Sequence, residues 1–273
     1  MKKLLLAFDG THFSAGAFEF ARQLNEIQPV LVTGAFLPQA QAANLWSYAD
    51  AMSGPMFIPL AETNDTEVIR ESISKFETLC QKNGIEYRVH EDTNDFALPE
   101  LKKETRFADL LIIGSEVYYE NLGKSSNEYL QDLIHGAECP VIVVPENFKF
   151  PQTTILSYDG SESSVYAIKQ FAYLFPEFVS KPTLLVYVNK DEKIEFPKQS
   201  NIEELVARHY SDLTFLKLDM DPSKYFNNWV ENKEGIILVC GAYGRSMIST
   251  LFKKSFIDDI LADHRLPIFI AHT

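Results

Sequence analysis

Cysteine is scarce and scattered: Cys80, Cys139 and Cys240 are the three in the chain, odd in number and far apart. That spacing excludes a disulfide framework and a zinc-binding cluster, and it reads as reduced core residues of a cytoplasmic protein. No apolar run approaches the length needed to span a bilayer. Met1-Lys2-Lys3 leads straight into a short strand, so neither a membrane segment nor a signal peptide is expected. Cations are outnumbered, 25 Lys and Arg against 38 Asp and Glu, for a net charge of -13. A chain this acidic offers no broad Lys/Arg surface for nucleic acid or an anionic membrane. The six histidines lack a metal spacing such as His-x-x-x-His, and there is no Gly-x-Ser-x-Gly nucleophile elbow. What remains is an ordinary soluble composition, 46% hydrophobic and 23% charged, in 273 residues, enough for two domains.

Short apolar strands alternate with amphipathic helices. Lys3–Phe8, Val30–Phe36, Ile85–His90, Ala108–Ile113 and Pro140–Val144 read as strands. Helices are expected over Ser14–Ile27, Thr66–Asn83, Leu98–Arg106 and Ser126–Gly136. This alternation implies a parallel sheet covered on both faces. Pro145–Pro151 then reads as a linker, after which the pattern starts again. Asp9-Gly10-Thr11 returns as Asp159-Gly160-Ser161, and Gly241 precedes Pro267 by the same interval that separates Gly114 from Pro140. The second set of strands is expected at Thr154–Tyr158, Thr183–Val188, Leu213–Leu218, Ile236–Cys240 and Ile268–Ala271. Two sets of matched landmarks indicate an internal duplication, residues 1–147 and 151–273. The copies differ most after their second strand. There the first carries a long aromatic insertion, 37–65, expected to pack over that half or to contact another chain, with a lid as the lesser alternative. The second carries a shorter charged stretch, Asn189–Asn201.

The segment from Ile236 to Phe256 concentrates the chemistry. Five apolar residues lead into Gly241-Ala242-Tyr243-Gly244 and then a helical pattern with Ser246, Ser249 and Thr250 near its start. A strand, a glycine turn and a helix N-terminus present backbone N–H groups to an anion. From Gly241 to Phe256 there are three cations, Arg245, Lys253 and Lys254, and no acid, a local reversal in an acidic chain. An ordinary strand-to-helix connection with solvated lysines explains the same residues, and the glycine pattern alone does not choose between them.

Asp-Gly-Ser after a first strand, Gly-x-x-Gly after a fourth, and the terminal Cys139-Pro140-Val141-Ile142-Val143-Val144-Pro145 resemble the universal stress protein family, here with its domain twice in one chain. The resemblance implies two flavodoxin-like (Rossmann-like) α/β domains in tandem, each a five-stranded parallel sheet of order 3-2-1-4-5. It also implies that their last strands pair across a pseudo-two-fold axis, so that one chain imitates the family's dimer; a further homodimer is left open. It implies, finally, an adenine nucleotide, ATP or a related one, at the carboxyl ends of the strands beside the switch point. Carried over to the second half, Asp159 would face the adenine or ribose within the turn Asp159-Gly160-Ser161, and Val188 would lie against the base. Gly241, Gly244, Arg245, Ser255 and Phe256 would line the phosphate side. Lys254 stands where the motif has its third glycine, and its side chain would either crowd the phosphates or bind them as a point charge.

The first half keeps Asp9 and Gly114 but has Val117, Asn127 and Glu128 at the remaining motif positions, with Glu116 and Glu120 nearby. Carboxylates there would repel phosphates, so a degenerate first site is expected. Asp258, Asp259 and Asp263 could hold magnesium beside a nucleotide, though a solvated helix face accounts for them more simply. The reading is a stress-response regulator without efficient catalysis. One alternative is an interaction module with both sites lost. Another is an adenylate-using enzyme, whose usual Ser-Gly-Gly-x-Asp-Ser loop has no counterpart at either Asp-Gly turn.

Overall fold

The structure, a computed structural model, describes residues 1–8, 12–37, 63–91, 97–115, 133–189, 195–219, 234–241 and 266–271. In the first half these form β1 (Lys2–Phe8), α1 (Ala15–Ile27), β2 (Val30–Phe36), α2 (Thr63–Lys82), β3 (Glu86–Glu91), α3 (Ala97–Thr105), β4 (Leu110–Gly114) and β5 (Val141–Val144). The second half supplies β6 (Thr153–Ser157), α4 (Glu162–Leu174), β7 (Thr183–Asn189), α5 (Gln199–His209), β8 (Leu213–Asp219), β9 (Ile236–Gly241) and β10 (Ile268–Ala271). The insertion, apart from Leu37 and the start of α2, lies outside the described residues. The stretch Asn189–Asn201 is no loop throughout: Asn189 closes β7 and α5 begins at Gln199.

All ten strands join one sheet in the order β3-β2-β1-β4-β5-β10-β9-β6-β7-β8. Every described ladder is parallel except the central one, where β10 runs antiparallel to β5 with Phe269 opposite Ile142. Alternation along each strand divides the core into two layers. Leu4, Leu6 and Phe8 turn to the side covered by α1 and α2, whereas Leu5 and Ala7 join Leu101 of α3 on the other. Residues buried on both faces explain the near-continuous apolar runs of β4 and β9. The two edge strands instead carry charge, with Glu86, Arg88 and Glu91 on β3 and Lys217 on β8, which discourages further strand addition.

Aromatic rings fill the α1–α2 side. Phe76 from α2 meets Phe8, Phe18, Phe36 and Tyr87 with centroids 5.8 to 6.2 Å away, all at steep angles. Gly34 makes room for that ring, since a Cβ there would lie 3.0 Å from it.

The linker is not a loose tether. Glu146 accepts from Ser14 Oγ at 2.6 Å and from the Gly16 N–H at 3.0 Å, which places a carboxylate on the N-terminus of α1. Phe148 and Phe150 pack on Phe20 of α1, and Phe150 also meets Phe178 of the second half. Lys181 sits over Phe178 and Phe150 while its ammonium donates to the Pro151 carbonyl at 2.9 Å. Lys2 reaches across to Glu177 at 3.1 Å and lies over Phe175. The strap and these contacts add side-chain packing to the β5–β10 ladder.

Cys80 and Cys240 are buried and Cys139 half-buried, and loss of solvation pushes all three thiols up to about 12. At pH 8 only about one thiol in ten thousand would then be thiolate, the reactive form. The folded protein is therefore expected to resist a chromogenic aromatic disulfide at pH 8 and to release three equivalents once denatured. Rapid release before unfolding would contradict this burial.

Candidate functional site

The sheet order places β6 beside β9, with Leu156 opposite Val239, and β7 on the other flank of β6. The second half's strands all run the same way, so Asp159, Val188 and Gly241 emerge together at the carboxyl edge, beside the point where strand order reverses. In a parallel sheet that is the place where a ligand fits.

The turn after β6 is built from its own side chains. Asp159 Oδ1 accepts from the Ser161 N–H at 2.9 Å, which closes an Asx turn, and Gly160 takes φ +79°. Ser161 is the N-cap of α4, accepting from the Ser164 N–H at 3.1 Å. The turn thus has a structural task for Asp159 that a ligand would share.

Gly241 has a close neighbour. A Cβ there would come within 2.4 Å of the Ser163 carbonyl carbon and 2.6 Å of the Ser164 nitrogen, so the absent side chain lets α4 lie directly on the end of β9. The sequence reads this glycine as room for a ligand; the structure uses it as room for a helix. Gly241→Ala must push apart two pieces of backbone and is expected to cost about 2 kcal/mol of stability, measured by denaturant unfolding. A change under roughly 0.5 kcal/mol would show that the contact is soft.

Val188 is buried, 3% exposed, and belongs to the core layer opposite α4 and α5. Its side chain is therefore committed to packing. Its backbone and that of Asn189 form the rim, and Asn189 Nδ2 donates to Tyr187 Oη at 2.9 Å. Beyond it, Phe196 packs on Tyr187 and Phe215 with centroids 5.3 and 6.0 Å away. Pro197 rests on the turn: a Cβ at Gly160 would lie 2.6 Å from Pro197 Cβ, and Tyr158 Oη donates to the Pro197 carbonyl at 2.7 Å. Sequence reading missed this contact because its partners are 39 residues apart.

Gly244, Arg245, Lys254, Ser255 and Phe256 lie outside the described residues, as do Asp9, Gly10, Thr11, Val117, Asn127, Glu128, Asp258, Asp259 and Asp263. Among the described residues no group of three His, Cys, Asp or Glu is placed to hold a metal, and no helix is long and apolar enough to cross a membrane.

In the first half the corresponding helix start belongs to Glu146. Its carboxylate occupies the α1 N-terminus, where the dipole and free N–H groups would otherwise attract an anion. The acids that the sequence places against phosphate in this half, Glu116, Glu120 and Glu128, lie outside the described residues.

No family model and no curated protein matches the sequence. Solved structures do match the fold along the whole chain. A universal stress protein from Archaeoglobus fulgidus DSM 4304 superposes with a TM-score of 0.69 at 14% identity, over 99% of this chain and 96% of that one. A chain from Pseudomonas aeruginosa UCBPP-PA14 given the same family name reaches 0.56 at 9% identity, covering 100% and 93%. A protein of unknown function from Pseudomonas aeruginosa PAO1 reaches 0.57 at 8% identity, covering 100% and 92%. At such identities the likeness establishes the fold.

Proposed function

With the fold of the universal stress proteins as premise, we propose that this chain is a cytoplasmic, nucleotide-responsive regulator of stress adaptation. Its two repeats, 1–147 and 151–273, have divided the work. The second binds an adenine nucleotide, ATP or a related one, and the first completes the pseudo-dimer as scaffold. The observation that carries the reading is the meeting of the Asp159 turn and the end of β9 at the switch-point edge of the sheet. In this reading Asp159 accepts from the base, the backbone at Val188 borders it, and the phosphates run over the cationic segment that holds Gly244, Arg245, Lys254, Ser255 and Phe256. The role assigned is binding, with magnesium accompanying the nucleotide and no efficient turnover.

A second reading has support of its own. Asp159, Ser161 and Gly241 all have structural work that needs no ligand, which is what an interaction module with a lost site would also display. Equilibrium dialysis of the full chain against labelled ATP separates the two. The nucleotide reading predicts saturable binding that Gly244→Glu abolishes while the fold persists. No saturable binding at millimolar ATP would leave the interaction module.

A further inference from the structure

We propose that Tyr158, together with Pro197, is a positioning residue for adenine recognition, holding the turn after β6 from the α4–α5 side so that Asp159 faces the base. The inference rests on the reading that the second repeat binds an adenine nucleotide. Tyr158 is 1% exposed, and its hydroxyl donates to the Pro197 carbonyl at 2.7 Å. Burial first, and the Asp159 carboxylate second, hold its phenol above the ordinary range, so it stays a donor at physiological pH. Pro197 in turn lies against Gly160, close enough that any side chain on Gly160 would displace it. Both sequence neighbours of Asp159 thus rest on Pro197, Tyr158 through its hydroxyl and Gly160 through the ring pressed on it.

Pro197 does not float either. Phe196 anchors it to Tyr187 and Phe215, and the following Lys198 holds φ +48°, a left-handed conformation that residues with a Cβ adopt rarely. Lys198 is the N-cap of α5 and makes no side-chain cap bond, so surrounding packing has to maintain that conformation. Strain maintained beside a turn at the switch-point edge fits a device for placing one carboxylate. The first half supplies an internal comparison. The residue before its Asp is Phe8, which lacks the hydroxyl and stacks on Phe13 and Phe36 with centroids 5.0 and 4.8 Å away. The half assigned no nucleotide has no hydroxyl at this position.

The test compares ATP with inosine triphosphate (ITP) by calorimetric titration of the full chain. Adenine offers an amino donor to Asp159 where hypoxanthine offers an oxygen, so a well-placed carboxylate favours ATP. Tyr158→Phe is expected to weaken ATP binding about five- to tenfold, leave ITP nearly unchanged and shift the melting temperature little. Pro197→Ala keeps the carbonyl but loses the ring and should lower the ATP-to-ITP preference by a smaller factor; it reads the same ratio if Tyr158→Phe does not fold. Equal losses for both nucleotides, or an unchanged ratio, would overturn the positioning role while leaving nucleotide binding intact. Wild-type protein that binds no ATP would overturn the nucleotide reading and this inference with it.

Discussion

Phe76→Ala is expected to lower the unfolding free energy by about 4 kcal/mol, the cost of removing a fully buried ring from a nest that cannot collapse around the gap. The nest is tight for identifiable reasons. Phe8 and Phe36 are the last residues of neighbouring strands, Phe18 comes from α1, and Gly34 beneath the ring has no side chain to relax into the space. Phe76→Leu should recover part of the loss, since it restores volume without the edge-to-face contacts. Chemical denaturation with an unchanged m-value checks the comparison. A loss below roughly 1 kcal/mol for the alanine variant would mean that the helix carrying Phe76 is not docked as described.

Gly16→Ala provides the second large effect, and here two physical arguments predict opposite signs. Helix propensity alone favours alanine over glycine by about 1 kcal/mol. Packing opposes it: the new methyl would lie 2.1 Å from the Pro145 carbonyl oxygen and 2.8 Å from Glu146 Cα, both backbone atoms. The strap must move, and the Glu146 carboxylate then leaves Ser14 and the Gly16 N–H. The steric term is larger, so a net loss of about 3 kcal/mol is expected, or roughly 5 °C in melting temperature. Glu146→Gln, which keeps the shape and removes the charge, should cost less, about 1 kcal/mol. Stabilisation by Gly16→Ala would mean that the strap does not lie on α1.

Strands were the most legible part of this chain. Val30–Phe36 and Ile268–Ala271 emerge with the bounds that their apolar runs suggest, because residues buried on both faces leave an unbroken signature. The repeat of Asp-Gly turns and of glycine-to-proline intervals showed that the halves match, while the pairing of β5 with β10 was expected only from the resemblance to the universal stress proteins. The Asp-Gly turn was legible as a turn, but the sequence reading gave Asp159 to the ligand, and the structure adds that its carboxylate closes the turn by accepting from the Ser161 N–H.

What escaped was long-range. Pro145–Pro151 looks like a linker because prolines and a charge punctuate it, yet Glu146 meets Ser14 at a separation of 132 residues. No local pattern announces such a partner. Gly241 was read as room for a ligand, and nothing local indicated that a helix would fill that room. The Tyr158–Pro197 bond was hidden for the same reason.

Photolabelling with an azidoadenine analogue of ATP, followed by peptide mapping, tests the placement of the nucleotide most directly. Label on the peptides that carry Asp159, Val188 and Gly241, displaced by excess ATP, is the predicted result. Label concentrated instead in residues 1–147, or no ATP-sensitive label at all, would contradict it.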